Sequence, residues 1–520
     1  MLPQEVLSSL PSLLPEPEPL RPFVSTVVGN LEFRVWKAQL ERIDEILRMG
    51  QVEAALVRLS LGRQRERELK TAAEEGRPAH MLTPGEQVLF QWGASQALRC
   101  VLVRTLTGEG LRAFARHLAE SPLLQWFCRL ERLEQVQIPS QSQLQRHAEV
   151  VEEVDLRGVV ARLLEAARGP AEAGQPQPIG LGEELELETY FLDSTWVKLN
   201  IHFPVDWVLL REATRTLMKA PMLIRKRGLK RRREEPAVFV KRMNRLAMEM
   251  TRQARRSGDR KGRKKTLGAM KKLVKVIRDH AQRHRELLAG RWRETDLSEK
   301  EGANIGERIE VILERLPYAV RQAHERIIGE RQVAHEEKIL SLYEGHAAVY
   351  VRGKAGGEVE FGSQLLLGEA ESGVIVDWER VCGNPEGDTK LLGRSLDRYE
   401  AGRGGQRPAA VTGDRGFDSK ANREELAGRK IYNGICRKAP GALKERRRER
   451  RFVRLQQRRS QTEARIAIFK NGFLGAPLRV KGYGRPDLQV AWAVLTHNLW
   501  CVARRPHDTT DRRGEVATIN

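Results

Sequence analysis

Cysteine is scarce in this chain, and its five copies (Cys100, Cys128, Cys382, Cys436, Cys501) among 520 residues form no Cys-x-x-Cys pair. That spacing argues against a structural zinc site or a disulfide framework and fits a reducing compartment. Aromatic residues are only 6% of the chain, and no apolar run approaches the roughly 20 residues a membrane span needs. Pro3 and Glu5 stand where a signal peptide has a basic flank and an apolar stretch, so a cytoplasmic protein with no membrane partner is expected. Acidic residues are outnumbered, 69 against 91 lysines and arginines, which leaves a formal net charge of +22. A polyanionic partner is therefore expected, although charge alone fits ribosomal, RNA-binding and DNA-binding proteins equally. The hydrophobic content of 40% is ordinary, and the length suffices for two or three domains.

Prolines 3, 11, 15, 17, 19 and 22 mark residues 1–22 as a poorly ordered tail. Residues 23–168 read as helical. Val35, Leu40, Ile43, Ile46 and Leu47 recur at helix spacing, as do Leu98, Val101, Leu102 and Leu106. Ser140 and Ser142 are candidate N-caps for a helix through Leu144 and Val150. Such a helical region suits DNA binding, dimerisation or plain packing. A Gly/Pro/Gln linker follows at 169–184, and residues 206–344 read as a basic helical block. Within it, 219–293 hold 27 lysines and arginines against 6 acidic residues. Met270, Leu273, Val274, Ile277 and Ala281 form an apolar stripe at helical spacing among those cations, so the segment is expected to fold. Arg231, Arg232 and Arg233, and residues 261–265 with Lys264 and Lys265, read as loops and tips suited to phosphate contact. Helices are expected to continue from about Ile305 to Leu342.

Three carboxylates stand out in what remains. Asp193 sits inside the strand-like run Tyr190-Phe191-Leu192-Asp193-Ser194-Thr195-Trp196-Val197. A carboxylate there is unfavourable on propensity and costly if buried unpaired. It fits either an edge strand with the acid turned to water or a central strand holding a cation. From Ala347 the period becomes strand-like, through 349–351, 359–361, 365–367 and 374–376 as separate short runs. A helix is expected from about Asp388 to Tyr399, then a strand over 409–412 that ends in Gly413-Asp414-Arg415-Gly416-Phe417-Asp418. An Asp at the C-terminal end of such a strand lies where open α/β sheets place ligands. After a helix near 422–426 and a strand over 431–435, one basic helix is expected from Lys444 to Phe473. On it Arg459, Glu463 and Lys470 fall within about 40° of one another at 100° per residue. Phe452, Leu455, Ile466, Phe469 and Phe473 form the adjoining apolar stripe. Residues 506–520 read as a second tail.

With these motifs in order, the sequence resembles bacterial insertion-sequence transposases with a DDE catalytic domain, most closely the ISNCY group. The resemblance rests on Leu192-Asp193-Ser194-Thr195, Asn200-Ile201-His202-Phe203-Pro204-Val205-Asp206, Gly353-Lys354-Ala355 with Glu360-Phe361-Gly362, the Gly413–Ser419 run, and Arg459/Glu463/Lys470. Related families carry Tyr-x2-Arg-x3-Glu-x6-Lys, and Gln456 occupies the Tyr position here. The resemblance implies an α/β, RNase H-like mixed five-stranded sheet with helices. It implies a catalytic domain split into 185–205 and 345–505 by the basic insertion, beside an all-α N-terminal domain. It further implies Asp193, Asp414 and Glu463 as catalytic metal ligands for two Mg2+ ions, with Mn2+ as a substitute, and Arg459, Lys470 and Arg415 as phosphate contacts. The implied activity is cleavage of double-stranded DNA at the terminal inverted repeats of an element and joining of the 3′-hydroxyl to target DNA, by a homodimer or larger assembly in the nucleoid. An RNase H-fold nuclease without strand transfer, or a non-catalytic nucleic-acid-binding protein, are the competing readings.

Overall fold

A computed structural model describes residues 30–132, 135–169, 177–201, 204–229, 234–256, 259–351, 359–480 and 484–507. Arg231, Arg232, Arg233, His202, Phe203 and the Gly353-Lys354-Ala355 motif lie outside the described residues. The N-terminal region is helical: α1 (Leu31–Met49), α2 (Val52–Glu75), α3 (Pro84–Thr107), α4 (Leu111–Glu120) and α5 (Pro122–Phe127). The two-residue strands β1 (Glu131–Arg132) and β2 (Gln135–Val136) follow, then α6 (Gln141–His147) and α7 (Glu153–Arg168). Local chemistry sets several of these boundaries. Thr83 and Glu86 form a reciprocal capping box ahead of Pro84, and Ser140 and Gln143 form another at α6. Of the two candidate serines, Ser140 is thus the cap, and α6 ends at His147, short of Val150.

Strand β3 (Thr189–Lys198) carries Asp193. The basic insertion follows as α8 (Asp206–Lys226), α9 (Pro236–Arg255), α10 (Arg260–Arg291) and α11 (Glu299–Ile327). These helices share their own apolar core, which includes Met270, Leu273, Val274, Ile277 and Ala281 of the expected stripe. Two expectations are corrected here. Residues 261–265 belong to the first turns of α10, because the Asp259 side chain accepts the Gly262 N–H at 3.0 Å and starts the helix there. The last helix of the block ends at Ile327, and only a 3-10 turn at His335–Glu337 follows before β4.

The sheet continues with β4 (Ala348–Val351), β5 (Val359–Ala370) and β6 (Ile375–Val381). Then come α12 (Leu392–Ala401), β7 (Ala410–Thr412), α13 (Lys420–Gly428), β8 (Tyr432–Asn433), α14 (Pro440–Arg446), α15 (Arg450–Ile468) and α16 (Arg485–Ala503). Strand β3 is central. It pairs antiparallel with β5 on one side and parallel with β7 on the other, and β7 pairs parallel with β8. Strands β4 and β6 both pair with the outer edge of β5, at 359–362 and 364–369 respectively. The sheet is therefore mixed, as expected, and holds six strands rather than five because β4 and β6 share one edge.

Two runs that read as separate, 359–361 and 365–367, are one strand. Gly362 bridges them, paired with both Lys198 and Ala348, and a Cβ there would meet Val197 O at 2.0 Å. The strand expected over 431–435 is reduced to Tyr432–Asn433. The expected helix over 444–473 is broken at Glu449, whose backbone is extended and whose carboxylate pairs with Arg446. It widens to a π-helix over Phe469–Leu474, so Lys470 leaves the 100° spacing.

Both faces of the sheet are covered. Tyr190, Leu192, Leu366 and Val411 pack with residues of α12 and α13. On the other face Phe191 and Ala410 pack with Leu455 of α15. Leu365, Leu367, Ile375 and Trp378 join one continuous core with α16 and the N-terminal helices. Double coverage explains why Leu365, Leu366 and Leu367 of β5 are consecutive apolar residues and all buried.

Candidate active site

The parallel register of β3 on β7 runs from Thr189↔Ala410 to Phe191↔Thr412. Two residues further along both chains bring Asp193 level with Asp414, just past the end of β7. Side chains alternate along a strand, so Asp193 shares its face with Phe191, the face that α15 covers. The edge-strand reading of Asp193 is thereby set aside: it is central and half-buried, with one carboxylate oxygen accepting the Ser194 N–H at 2.8 Å.

Asp414 caps the 3-10 turn Arg415–Phe417, its Oδ1 accepting the Gly416 N–H at 2.7 Å. Glu463 projects from α15 and is exposed. Arg459, one turn earlier, donates to Gln456 Oε1 at 3.2 Å. Gln456 in turn donates to Thr412 Oγ1 at 3.1 Å and Gly434 O at 2.7 Å, which pins α15 to the ends of β7 and β8. So the residue at the family's Tyr position is a brace between helix and sheet.

The electrostatics tie these groups together. Burial pushes the Asp193 carboxyl up to about 7, with Asp414 and then Glu463 adding repulsion, while the Ser194 N–H and Arg459 work in the opposite direction. A fourth carboxylate, unmarked in the sequence reading, joins them. Asp388 opens a 3-10 turn ahead of α12 and accepts the Ser194 hydroxyl at 2.7 Å and Gln364 Nε2 at 3.3 Å. Burial and Asp414 raise its carboxyl as well, offset by Ser194 and Lys438. A Cβ on Gly416 would lie 2.4 Å from Asp388 Oδ2 and 2.8 Å from Asp414 Oδ1, so the two acids flank that glycine. The only sequence sign of Asp388 was its place at the start of an expected helix; nothing in its neighbours marked it as facing Asp414.

The remaining candidates are distributed differently. Lys470 Nζ donates to Thr195 Oγ1 at 3.1 Å and Trp196 O at 2.6 Å, so it is bonded to β3 beyond Asp193. Arg415 is exposed next to Asp414. Lys264 and Lys265 lie on α10 in the insertion, with Lys264 paired to Glu330 at 2.8 Å.

Among the described residues no three His, Cys, Asp or Glu side chains are close enough to enclose a metal ion. That does not conflict with Mg2+, which takes one or two carboxylates and fills its other positions with water and substrate phosphate. Asp193 and Asp414, oxygen donors held side by side with their repulsion only partly offset by Arg459, fit such an ion.

Residues 347–499 match the family model described as transposase DDE domain. The matched span contains Asp414, Arg459, Glu463 and Lys470; Asp193 precedes it. No curated protein and no solved structure matches the chain. No helix among the described residues is long and apolar enough to cross a membrane. Over these residues, less than a third of the chain, the protein is therefore similar to the DDE domain of transposases.

Proposed function

We propose that the chain cleaves double-stranded DNA at the ends of an insertion sequence and joins the freed 3′-hydroxyl to target DNA, with Asp193, Asp414 and Glu463 as the catalytic carboxylates of an RNase H-like domain. The family match supports a DNA-acting enzyme of the transposase and nuclease type. The observation that carries the finer reading is the register that puts Asp193 level with Asp414 on adjacent strands, under the helix that bears Glu463. The strand order β6-β5-β3-β7-β8, with β3 antiparallel to β5 and parallel to β7, supports the RNase H-like assignment, β4 being an addition. Membership of the ISNCY group belongs to this reading too.

In cleavage a water oxygen bonds to phosphorus, the P–O3′ bond breaks, and the 3′-oxygen leaves with a proton. In joining, that 3′-hydroxyl attacks a target phosphate and the target's own P–O3′ bond breaks. Mg2+, or Mn2+ in its place, supplies Lewis-acid activation of the phosphate and of the attacking oxygen when bound. Asp193 and Asp414 would hold it between them, and Glu463, exposed at the rim, would complete the donor set when DNA is present. Arg459, one turn from Glu463, and Arg415, next to Asp414, would donate charge-assisted hydrogen bonds to the phosphates beside the scissile bond. Lys470, already bonded to β3, fixes the strand that carries Asp193 and contributes less to phosphate.

Asp193→Asn, Asp414→Asn and Glu463→Gln should each abolish strand cleavage while binding of the same duplex stays within about twofold. Gel-shift, cleavage and strand-transfer assays on one preparation decide it. Full cleavage by any one variant removes that residue from the site, and cleavage without joining selects a nuclease.

A further inference from the structure

The basic insertion carries much of its charge on the pair α9 and α10, which share a core separate from that of the sheet, and the charge is sorted by row. On α10 the row facing α11 is neutralised or occupied. Arg260 and Lys264 both pair with Glu330, and Lys271 Nζ lies 3.2 Å from His324 Nδ1. The next row round the helix, Lys261, Lys265 and Lys272, is exposed, spans about 40° of the helix circumference, and has Lys275 beside it. On α9, which packs against α10, Lys241, Arg245 and Arg255 form an exposed stripe about 80° wide. Among the described residues none of these seven cations forms an ion pair, whereas their neighbours Arg242, Arg252 and Arg283 pair with Glu234, Glu249 and Asp279.

Seven like charges left uncompensated on two packed helices repel one another and are held there by the core beneath. We infer that Lys241, Arg245, Arg255, Lys261, Lys265, Lys272 and Lys275 form a surface for the backbone of double-stranded DNA, distinct from the carboxylate site. The identification of the partner as DNA rests on the transposase reading; the surface itself does not. From Lys261 to Lys275 the row is about 21 Å long at 1.5 Å per residue, the length of about six base pairs. The exposed large apolar residues of the two helices are Val238, Met248 and Val276, and Phe239 is buried. With no exposed aromatic ring on either helix there is no platform for stacking single-stranded bases. Nor is there an aromatic anchor for a lipid interface. The surface therefore grips phosphate and reads no sequence. Of the two expected phosphate contacts on α10, Lys264 is already paired and Lys265 lies on the open row.

The test is a titration of the full chain with random and repeat-containing duplexes across a salt series in EDTA, where no carboxylate chemistry runs. The variant Lys261→Gln/Lys265→Gln/Lys272→Gln/Lys275→Gln should flatten the plot of log K against log salt by about 3 to 4 units on every duplex. The matching Lys→Arg variant should keep the wild-type slope. Lys241→Gln/Arg245→Gln/Arg255→Gln, which leaves α10 untouched, should flatten it by about 2 to 3 units and serves if the first variant melts early. Unchanged slopes in folded variants overturn the proposal, as does equal competition by polyglutamate, which would make the partner an acidic polypeptide. Loss of cleavage in the carboxylate variants and loss of salt slope in these variants are separate readouts, so either reading can fail alone.

Discussion

Replacing Asp193 by Asn should make the protein more stable, and by an amount that depends on pH. Burial and its acidic neighbours lift the Asp193 carboxyl from an ordinary 3.8 to about 7. Across that interval the folded chain holds a proton that the unfolded chain has released. Folding stability therefore falls as pH rises from about 4 to about 7, and the loss is complete above that. Three pH units at 1.36 kcal/mol each put the penalty at about 4 kcal/mol. Asn cannot ionise, so Asp193→Asn should match the wild type near pH 4 and exceed it by a few kcal/mol at pH 8. The assay is urea unfolding of both proteins in EDTA at several pH values, read as the difference between them. Adding Mg2+ at pH 8 should close the gap, because an ion that binds the folded carboxylates stabilises the wild type and leaves the variant nearly unchanged. A difference that does not vary with pH, or a variant less stable at pH 8, would refute the claim that Asp193 stores electrostatic strain.

Two further perturbations follow from packing. Gly416→Ala should reduce cleavage at least about tenfold, because its Cβ would displace Asp388 and Asp414, while the unfolding free energy changes by less than about 1 kcal/mol; wild-type cleavage would show that the two acids move aside freely. Arg99→Ala should cost about 3 to 5 kcal/mol. Arg99 is 1% exposed and binds Asp44 and Glu53 at 2.7 and 2.8 Å, so its loss leaves two acids buried; urea unfolding that shows less than about 1 kcal/mol would mean solvent reaches them.

Much of the architecture was legible from local pattern. Apolar spacing located the insertion helices because a helix that packs must show its stripe, as Met270, Leu273 and Ile277 do. Capping chemistry located Ser140. Asp193 and Asp414 stood out as acids within or after apolar strands, and the register then set them level. What escaped was whatever depends on residues distant in sequence. Asp388 faces Asp414 only because its 3-10 turn folds back over Ser194. Lys470 left its expected place because the helix widens at Phe469, and periodicity assumes a constant turn. Gly362 read as a break between strands, whereas it keeps one strand continuous where two backbones close in. The sorting of cations on α10 into paired and open rows needed Glu330, some 66 positions after Lys264.

Helix α16 has a consequence for how the chain is made. Its residues sit in a core of which several walls, α1, α3 and α7 among them, were synthesised hundreds of residues earlier. Asn498 exchanges hydrogen bonds with the backbone of Ile375, Trp492 Nε1 donates to Ala148 O across 344 positions, and Gln39 donates to Trp500 O across 461. While a ribosome is still translating the segments before it, α1, α3 and α7 expose the surfaces that α16 will cover. Contacts of such long range form slowly, and the half-built intermediate is prone to aggregate. The nascent chain thus carries its positive insertion outside the ribosome before the frame that holds Asp193 and Asp414 is locked. On the proposed function, competence for cutting would arrive with α16, and a polypeptide cut short before residue 485 would carry the charged insertion without an assembled carboxylate site.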